Sequence, residues 1–544
     1  MSNKQNKYLV QGSILAVSSI LARLIGMLYR IPLNRIVGDT GMGYYSMSFE
    51  LYSLALLLSS YSIPLAVSKL VSVRDQKKEY KNSYRIFLSA MALSTSVGLF
   101  ASAVLFFGAT FWAGLIGGEN AADIAIPLRV LAPTIFVFSI MGVLRGLYQG
   151  KRTMVPTAIS QLLEQIVNAI VSIVAAYYLM REHNASVQID AYGAAGGTAG
   201  TLAGAVFGLL FLLFIFQVYH PVLKKKCRKD KAEHQESYKE AITAIVYTAL
   251  PVIISQTVFN LSGIIDAKLW TWLAGERGIL KEQSAAIFGI YSTKYKLLTT
   301  VPIAISTALG TAIVPTLAMA HQKGEQKELH KKIAMSVKFN MLIAFPSAIG
   351  LTVLAKPIVL LLFGDNGNVE LSAELIRLGS IAVVFFALST ITNGVLQGID
   401  RMMVPVKHAA ISLVIHIPIV YLLIMVGKLD AYGLVIGNIS FAFVVCILNW
   451  ISVAKALHYK QEVMKTFGLP FAASVTMGFV AYFSYEFFHR ILHSNAISVV
   501  LSIVIAVIVY GISIILLRTM DEEELLEMPA GRSILKLCKK LHMM

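Results

Sequence analysis

Several apolar stretches of this 544-residue chain carry side chains that can do chemistry. Arg23 stands well inside an apolar run that begins near Tyr8, and Arg30 lies nearer the outer end of the same run. Lys294 and Lys296 bracket Tyr295 midway along another run. An ionisable group inside a membrane helix costs on the order of 3 kcal/mol by insertion scales, so each is a candidate binding residue. Cations of this kind suit a diphosphate, because charge-assisted hydrogen bonds to phosphate oxygens are strong. The bland alternative is snorkelling to the membrane surface, which is harder for Arg23 because it lies deeper.

A third run carries Gln161, Glu164, Gln165 and Asn168. Spacing of three, four and seven puts all four on one helical face. Such a stripe is costly in lipid and should turn inward. It can bind sugar hydroxyls, neutralise an arginine, or join helices by hydrogen bonds. Two further runs hold Asn260 with Asp266, and Ser412 with His416. A buried carboxylate near an imidazole can take up Na⁺ or a proton as a coupling ion. A structural hydrogen bond is the plainer alternative.

These residues need membrane helices to hold them. The chain is 56% hydrophobic and 14% charged, with mean hydropathy +0.70; soluble domains are nearer a quarter charged. A crossing takes about 20 apolar residues. The expected spans are Tyr8–Leu33, Tyr44–Leu70, Ile86–Ala109, Ile124–Leu147, Met154–Met180, Tyr192–Tyr219 and Ala241–Leu273. They continue with Ala285–Met319, Ile333–Leu354, Ser372–Leu396, Met403–Val426, Tyr432–Lys455, Phe467–His489 and Ala496–Leu517. The fold class is therefore an all-α membrane protein of about fourteen spans. The first run has no small-residue cleavage site and reads as a retained helix.

Loop charge orients the spans. Arg74, Lys77, Lys78 and Lys81 follow the second, Lys151 and Arg152 the fourth, and Lys224, Lys225, Lys226, Arg228, Lys229 and Lys231 the sixth. Lys323, Lys327, Lys331 and Lys332 follow the eighth, and Lys455, Lys460 and Lys465 the twelfth. The opposite loops, such as those at Asn120 and Asn366, are poor in cations. The positive-inside rule then puts both termini in the cytosol of a multi-pass plasma-membrane protein. The net charge of +17 follows this topology signal and does not call for nucleic acid. Cys227, Cys446 and Cys538 have no framework spacing and read as unpaired thiols. No Walker-type loop and no zinc spacing is present, so no cofactor or metal is expected.

The chain also repeats itself. Arg129 precedes Gln149-Gly150 by the distance at which Arg377 precedes Gln397-Gly398, and Met154-Val155-Pro156 answers Met403-Val404-Pro405. The expected organisation is an N-lobe, 1–223, a basic cytosolic linker, 224–240, and a C-lobe, 241–465. Two further helices, 466–518, and a cytosolic tail, 519–544, follow. Two parallel six-helix lobes suit alternating access around a site between them.

The motifs Ala22-Arg23-Leu24-Ile25-Gly26, Gly41-Met42-Gly43-Tyr44-Tyr45, Leu144-Arg145-Gly146-Leu147-Tyr148-Gln149-Gly150 and Ser160-Gln161-Leu162-Leu163-Glu164-Gln165 carry a resemblance. With Arg30, Arg35, Gly38 and Pro156 they resemble the oligosaccharide-flippase branch of the multidrug/oligosaccharidyl-lipid/polysaccharide exporter superfamily. Within it they are similar to the Gram-positive MurJ-type lipid II flippases and the stage V sporulation protein B group. The resemblance runs from Gln11 to about Lys455. It implies a V-shaped fourteen-helix fold with a cationic cavity, and a lipid-tail groove at the last two helices. It implies transport of an undecaprenyl-diphosphate-linked sugar to the outer leaflet, with the bilayer and the cell-wall synthesis machinery as surroundings. Arg23 matches the family's arginine of the first helix. The next family cation falls at Tyr29, with Arg30 beside it. No arginine lies mid-way along the second span, and Lys294 or Lys296 stands where an arginine is usual in the eighth. The alternatives are an ion-coupled multidrug antiporter of the same superfamily and, remotely, a membrane glycosyltransferase or polymerase, which would need large external loops.

Overall fold

The computed structural model describes residues 2–228, 230, 235–365 and 368–521. Every regular element among them is a helix. In lipid a helix satisfies its own backbone hydrogen bonds within one segment, which suits it to crossing the hydrocarbon. The chain divides into two compact units, Met1–Thr293 and Lys294–Met544.

The first unit contains α1 (Ser2–Leu28), α2 (Arg30–Leu56), α3 (Ile63–Gln76), α4 (Tyr80–Phe107) and α5 (Ala109–Gly117). It continues with α6 (Ala121–Gly150), α7 (Val155–Glu182), α8 (Ile189–Arg228), α9 (Tyr238–Glu276) and α10 (Lys281–Gly289). Pro64 and Pro156 sit in the first turns of α3 and α7, where a missing N–H costs nothing. Ser237 and Glu240 form a reciprocal capping box that starts α9. The core gathers Val67 and Val71 of α3, Phe87 of α4, Met141 and Leu144 of α6, and Leu212 of α8. Gly196, Gly200, Gly204 and Gly208, one turn apart on α8, lie against Ala176, Ser172, Glu164 and Ser160 of α7. Small residues at this spacing let two membrane helices approach closely.

The second unit contains α11 (Lys296–Gln322), α12 (Gln326–Val353), α13 (Ala355–Phe363), α14 (Val369–Gly379) and α15 (Ala382–Gly398). It ends with α16 (Met403–Tyr421), α17 (Asp430–Leu457), α18 (Leu469–Leu492) and α19 (Asn495–Leu516). Its core joins Leu317 of α11, Val337 and Met341 of α12, Ile391 and Val395 of α15, and Val453 of α17. Packing in the two units follows one pattern. In the first, α6 packs on α3, α4 and α8, and α7 on α8; in the second, α15 packs on α11, α12 and α17, and α16 on α17.

Eleven helical runs among the described residues are long and apolar enough to cross a membrane, or twelve with the pair α14 and α15, bent by 44°. The run Val17–Gln76 covers 60 residues. That is about 90 Å of helix, enough for two crossings of roughly 30 Å. Gly38, with φ 75° and ψ 173°, breaks it where the first two expected spans should part.

Two features differ from the sequence expectation. The short helices α5 and α13 stand where loops were expected, and a glycine with positive φ, Gly118 or Gly364, follows each. The compact units also divide at Thr293 rather than in 224–240. Glu236, in that linker, accepts from Arg74 at 2.9 Å and donates its amide to Asn82 at 3.0 Å, while α9 packs on α2, α3, α4 and α5. These contacts bind the linker and α9 to the first unit.

Candidate functional site

Arg23 lies on α1, one turn from Ser19 and one from Gly26, so the three share a face. That face meets α7. Ser19 Oγ donates to Gln161 Oε1 at 3.2 Å, and a Cβ on Gly26 would stand 3.0 Å from Gln165 Oε1. Arg23 is exposed, and among the described residues it makes no hydrogen bond or ion pair.

The polar stripe of α7 is shared among three neighbours. Gln161 and Gln165 turn to α1. Asn168 is buried toward α8 and accepts from Ser172 at 2.9 Å. Glu164 turns to α6, where Arg145 Nη2 donates to its carboxylate at 2.8 Å; Arg145 Nε donates to Ser160 at 3.0 Å. Gln165 donates to the other Glu164 oxygen at 3.3 Å. The carboxylate is thus matched by the α6 arginine, and among the described residues Arg23, on the α1 face that carries Ser19 and Gly26, has no counterion.

Arg30 opens α2 after a break in the helix at Tyr29. Its guanidinium lies over the rings of Tyr45 at 5.8 Å and Phe49 at 5.6 Å, while the hydroxyls of Tyr29 and Tyr45 meet at 3.0 Å. Arg30 Nε is buried without a hydrogen-bond partner among the described residues. The partly buried aromatic setting differs from a simple snorkelling arginine.

In the first unit Asp266 is buried and accepts from Tyr291 Oη at 2.9 Å. Asn260 is exposed and donates to the Gln256 carbonyl of its own helix at 2.8 Å. In the second unit Lys294 is buried, 5.7 Å from the Phe363 ring centroid, and Lys296 is half-buried. Tyr295 between them donates to Asn438 at 2.9 Å. Ser412 donates to the Phe441 carbonyl at 2.8 Å, and His416 Nδ1 meets the Gly437 carbonyl at 2.9 Å. Asp266 and His416 therefore belong to different units, each with a local partner.

A close crossing joins the start of α2 to α10. A Cβ on Gly43 would stand 2.0 Å from the Ala285 carbonyl oxygen, and one on Gly289 would stand 2.0 Å from that of Asp39. The contacts are reciprocal: the residue one turn before each glycine supplies the oxygen. Polar links surround the crossing. Asn34 donates to Thr293 at 3.3 Å, and Asn120 accepts from Tyr44 at 3.4 Å and donates to the Lys281 carbonyl at 3.1 Å.

The sequence reading missed several groups. Arg145 entered only as part of a motif; its pairing across two helices has no sequence spacing to reveal it. Lys338 is buried in α12, and the cost of an intramembrane cation marks it as it marks Arg23. His408 Nδ1 meets Asn449 Oδ1 at 2.7 Å, and Asn449 donates to Asn393 at 2.7 Å. Asn393 takes the place of Arg145 in the repeat, so a neutral link stands in the second unit where the first has an ion pair.

Known proteins share this architecture. Stage V sporulation protein B of Bacillus subtilis (strain 168) is 23% identical over 531 residues, 96% of this chain and 98% of its own length. The lipid II flippase MurJ of the same organism is 26% identical over 423 residues, 75% of this chain and 74% of its own. A solved lipid II flippase MurJ, in an inward closed conformation, aligns over 92% of this chain and 97% of its own, with TM-score 0.67 and 15% identity. An inward-facing multidrug resistance MATE family transporter of the MOP superfamily aligns over 83% and 98%, with TM-score 0.63 and 16% identity. At these identities the two structures show the fold. The MatE family model matches residues 251–422. The model described as polysaccharide biosynthesis protein matches residues 9–321, more than half of the chain, and this multi-pass membrane protein belongs to that family.

Proposed function

We propose that the protein moves an undecaprenyl-diphosphate-linked cell-wall sugar precursor, lipid II or a related polysaccharide unit, from the inner to the outer leaflet by alternating access. One observation carries this reading. Among the described residues Arg23 has no counterion inside its apolar helix, whose Ser19 and Gly26 lie against Gln161 and Gln165, while Glu164 is matched by Arg145. A guanidinium fork fits the paired oxygens of a phosphate, and the amides suit hydroxyls. The relatives named lipid II flippase and stage V sporulation protein B support the same substrate class. The protein is a transporter, not an enzyme, like these relatives.

The reading includes fourteen crossings in two duplicated lobes, both termini in the cytosol of a bacterial plasma membrane, and work beside the cell-wall synthesis machinery. Arg30, Lys294 and Lys296 are further cations for the diphosphate and its sugar. Asp266 with Tyr291, and His416 with Ser412, are the candidates for Na⁺ or proton coupling. The test is depletion of the protein in its own cells. A lipid-linked precursor should accumulate on the inner leaflet, identified by mass spectrometry of extracted lipids; unchanged precursor pools would count against the proposal.

The MatE match over 251–422 favours one second reading, an ion-coupled multidrug antiporter. Everted vesicles would then accumulate a cationic dye when energised, and depletion would leave lipid-linked precursors unchanged.

A further inference from the structure

A lateral slot of about 620 Å³ lies wholly within the first unit, between α2, α4, α5 and α9. On α2 and the π turn that follows it the slot is lined by Leu51, Leu54, Ala55 and Leu58. On α4 it is lined by Val97, Phe100, Ala101 and Val104. Both sets follow the three-four-seven spacing of one helical face. Each set covers eight residues, seven steps of helix, so the slot runs about 10 Å along the two elements. The alanines leave the space that larger residues would fill. At the far end α2 passes into a π turn, Leu57–Tyr61, an irregularity frequent at functional sites. Leu58, Phe100 and Val104 are exposed, so the slot opens sideways.

The other end is different. Lys268 of α9 and Trp112 of α5 line it there. Lys268 is exposed and among the described residues makes no ion pair, although it stands in an apolar stretch of α9. A cation at the mouth of a hydrocarbon-lined slot, beside an indole, matches an amphiphile: the stem of lysine covers apolar surface while its ammonium meets a charged head. We propose that this slot holds one hydrocarbon chain of a membrane lipid whose anionic phosphate headgroup pairs with Lys268. Nothing in the transport reading uses these residues, so the site is additional to it.

The probe is phosphatidylglycerol carrying a photoactivatable group on one acyl chain, set in phosphatidylcholine nanodiscs with the full-length protein. The comparison lipid is phosphatidylcholine with the same labelled chain. Peptide mass spectrometry after irradiation should find the label on residues 51–59 and 97–105, with phosphatidylglycerol favoured about five-fold, the preference one lysine near the surface supplies. Lys268→Gln should abolish that preference and Lys268→Arg should keep it. Ala101→Trp, which fills the slot, should remove the label from both segments. Inorganic phosphate should not displace the label. Label spread evenly over the exposed helix faces, or a preference that survives Lys268→Gln, would overturn the proposal, and displacement by inorganic phosphate would reassign the mouth to a free anion. Thermal unfolding in the same discs checks each variant's fold; Lys268 is exposed, so its variants stay informative if Ala101→Trp does not fold.

Discussion

At the residue scale the ion pair of Arg145 and Glu164 is the firmest part of the site. The two side chains are 12% and 13% exposed, so neither is well placed to regain water if its partner goes. Removing one partner of a buried pair costs about 3–5 kcal/mol, and partial exposure lowers that here to about 2–3 kcal/mol. Glu164→Gln should therefore lower the thermal unfolding temperature of the purified protein more than Leu163→Ala does. Arg145→Gln combined with Glu164→Gln should recover part of the loss, because the double change leaves no uncompensated charge. If the double variant is no better than the sum of the singles, the pair is not the unit described. The residue types of this candidate site could be picked out from the sequence. Arg23, Glu164 and the two glutamines stand out because each is costly in lipid. Their partners were not legible. Arg145 and Glu164 come from two helices, and only packing decides that α7 turns its carboxylate to α6 and its amides to α1.

At the element scale the reciprocal glycine crossing of α2 and α10 is the contact that the proposed transport cycle would have to open. No residue with a Cβ fits at Gly43 or Gly289 without moving a backbone oxygen. Gly43→Val should part the two helices, expose the buried Ser46 and impair transport. The measurement is reaction of a cysteine at Ser46 with a hydrophilic thiol reagent, on a background without native cysteines. Labelling should rise at least several-fold with Gly43→Val and stay low with Gly275→Val, since nothing lies within 4 Å of a Cβ at Gly275. Equal labelling in both variants would mean that the crossing does not control access. Helix positions were readable from hydropathy: the expected spans Met403–Val426 and Ala496–Leu517 lie close to the run Met403–Val426 and to α19. The nine-residue α5 and α13 were not, because so short an apolar stretch has no distinguishing period. The grouping of α9 with the first unit was equally hidden, as it depends on side-chain contacts rather than on chain order.

At the scale of the whole molecule, orientation and transport are the two claims to test. Cysteines at Glu119 and Asp365, both exposed, should react with an impermeant thiol reagent added to intact cells, and one at Gln235 should not. Asn120 is unsuited to that experiment, because it is buried against Tyr44 and the Lys281 carbonyl, and Asn366 lies outside the described residues. The reverse labelling pattern would invert the topology and with it the direction of transport. The transport claim rests on Arg23, whose charge has no counterion among the described residues. Its direct test is complementation in cells depleted of the native protein, with precursor exposed on the outer leaflet as the readout. Arg23→Ala should abolish growth and exposure at normal membrane abundance, and Arg23→Lys should restore only a minor part, because an ammonium lacks the planar fork that grips two phosphate oxygens. Normal growth and normal precursor exposure with Arg23→Ala would contradict the account.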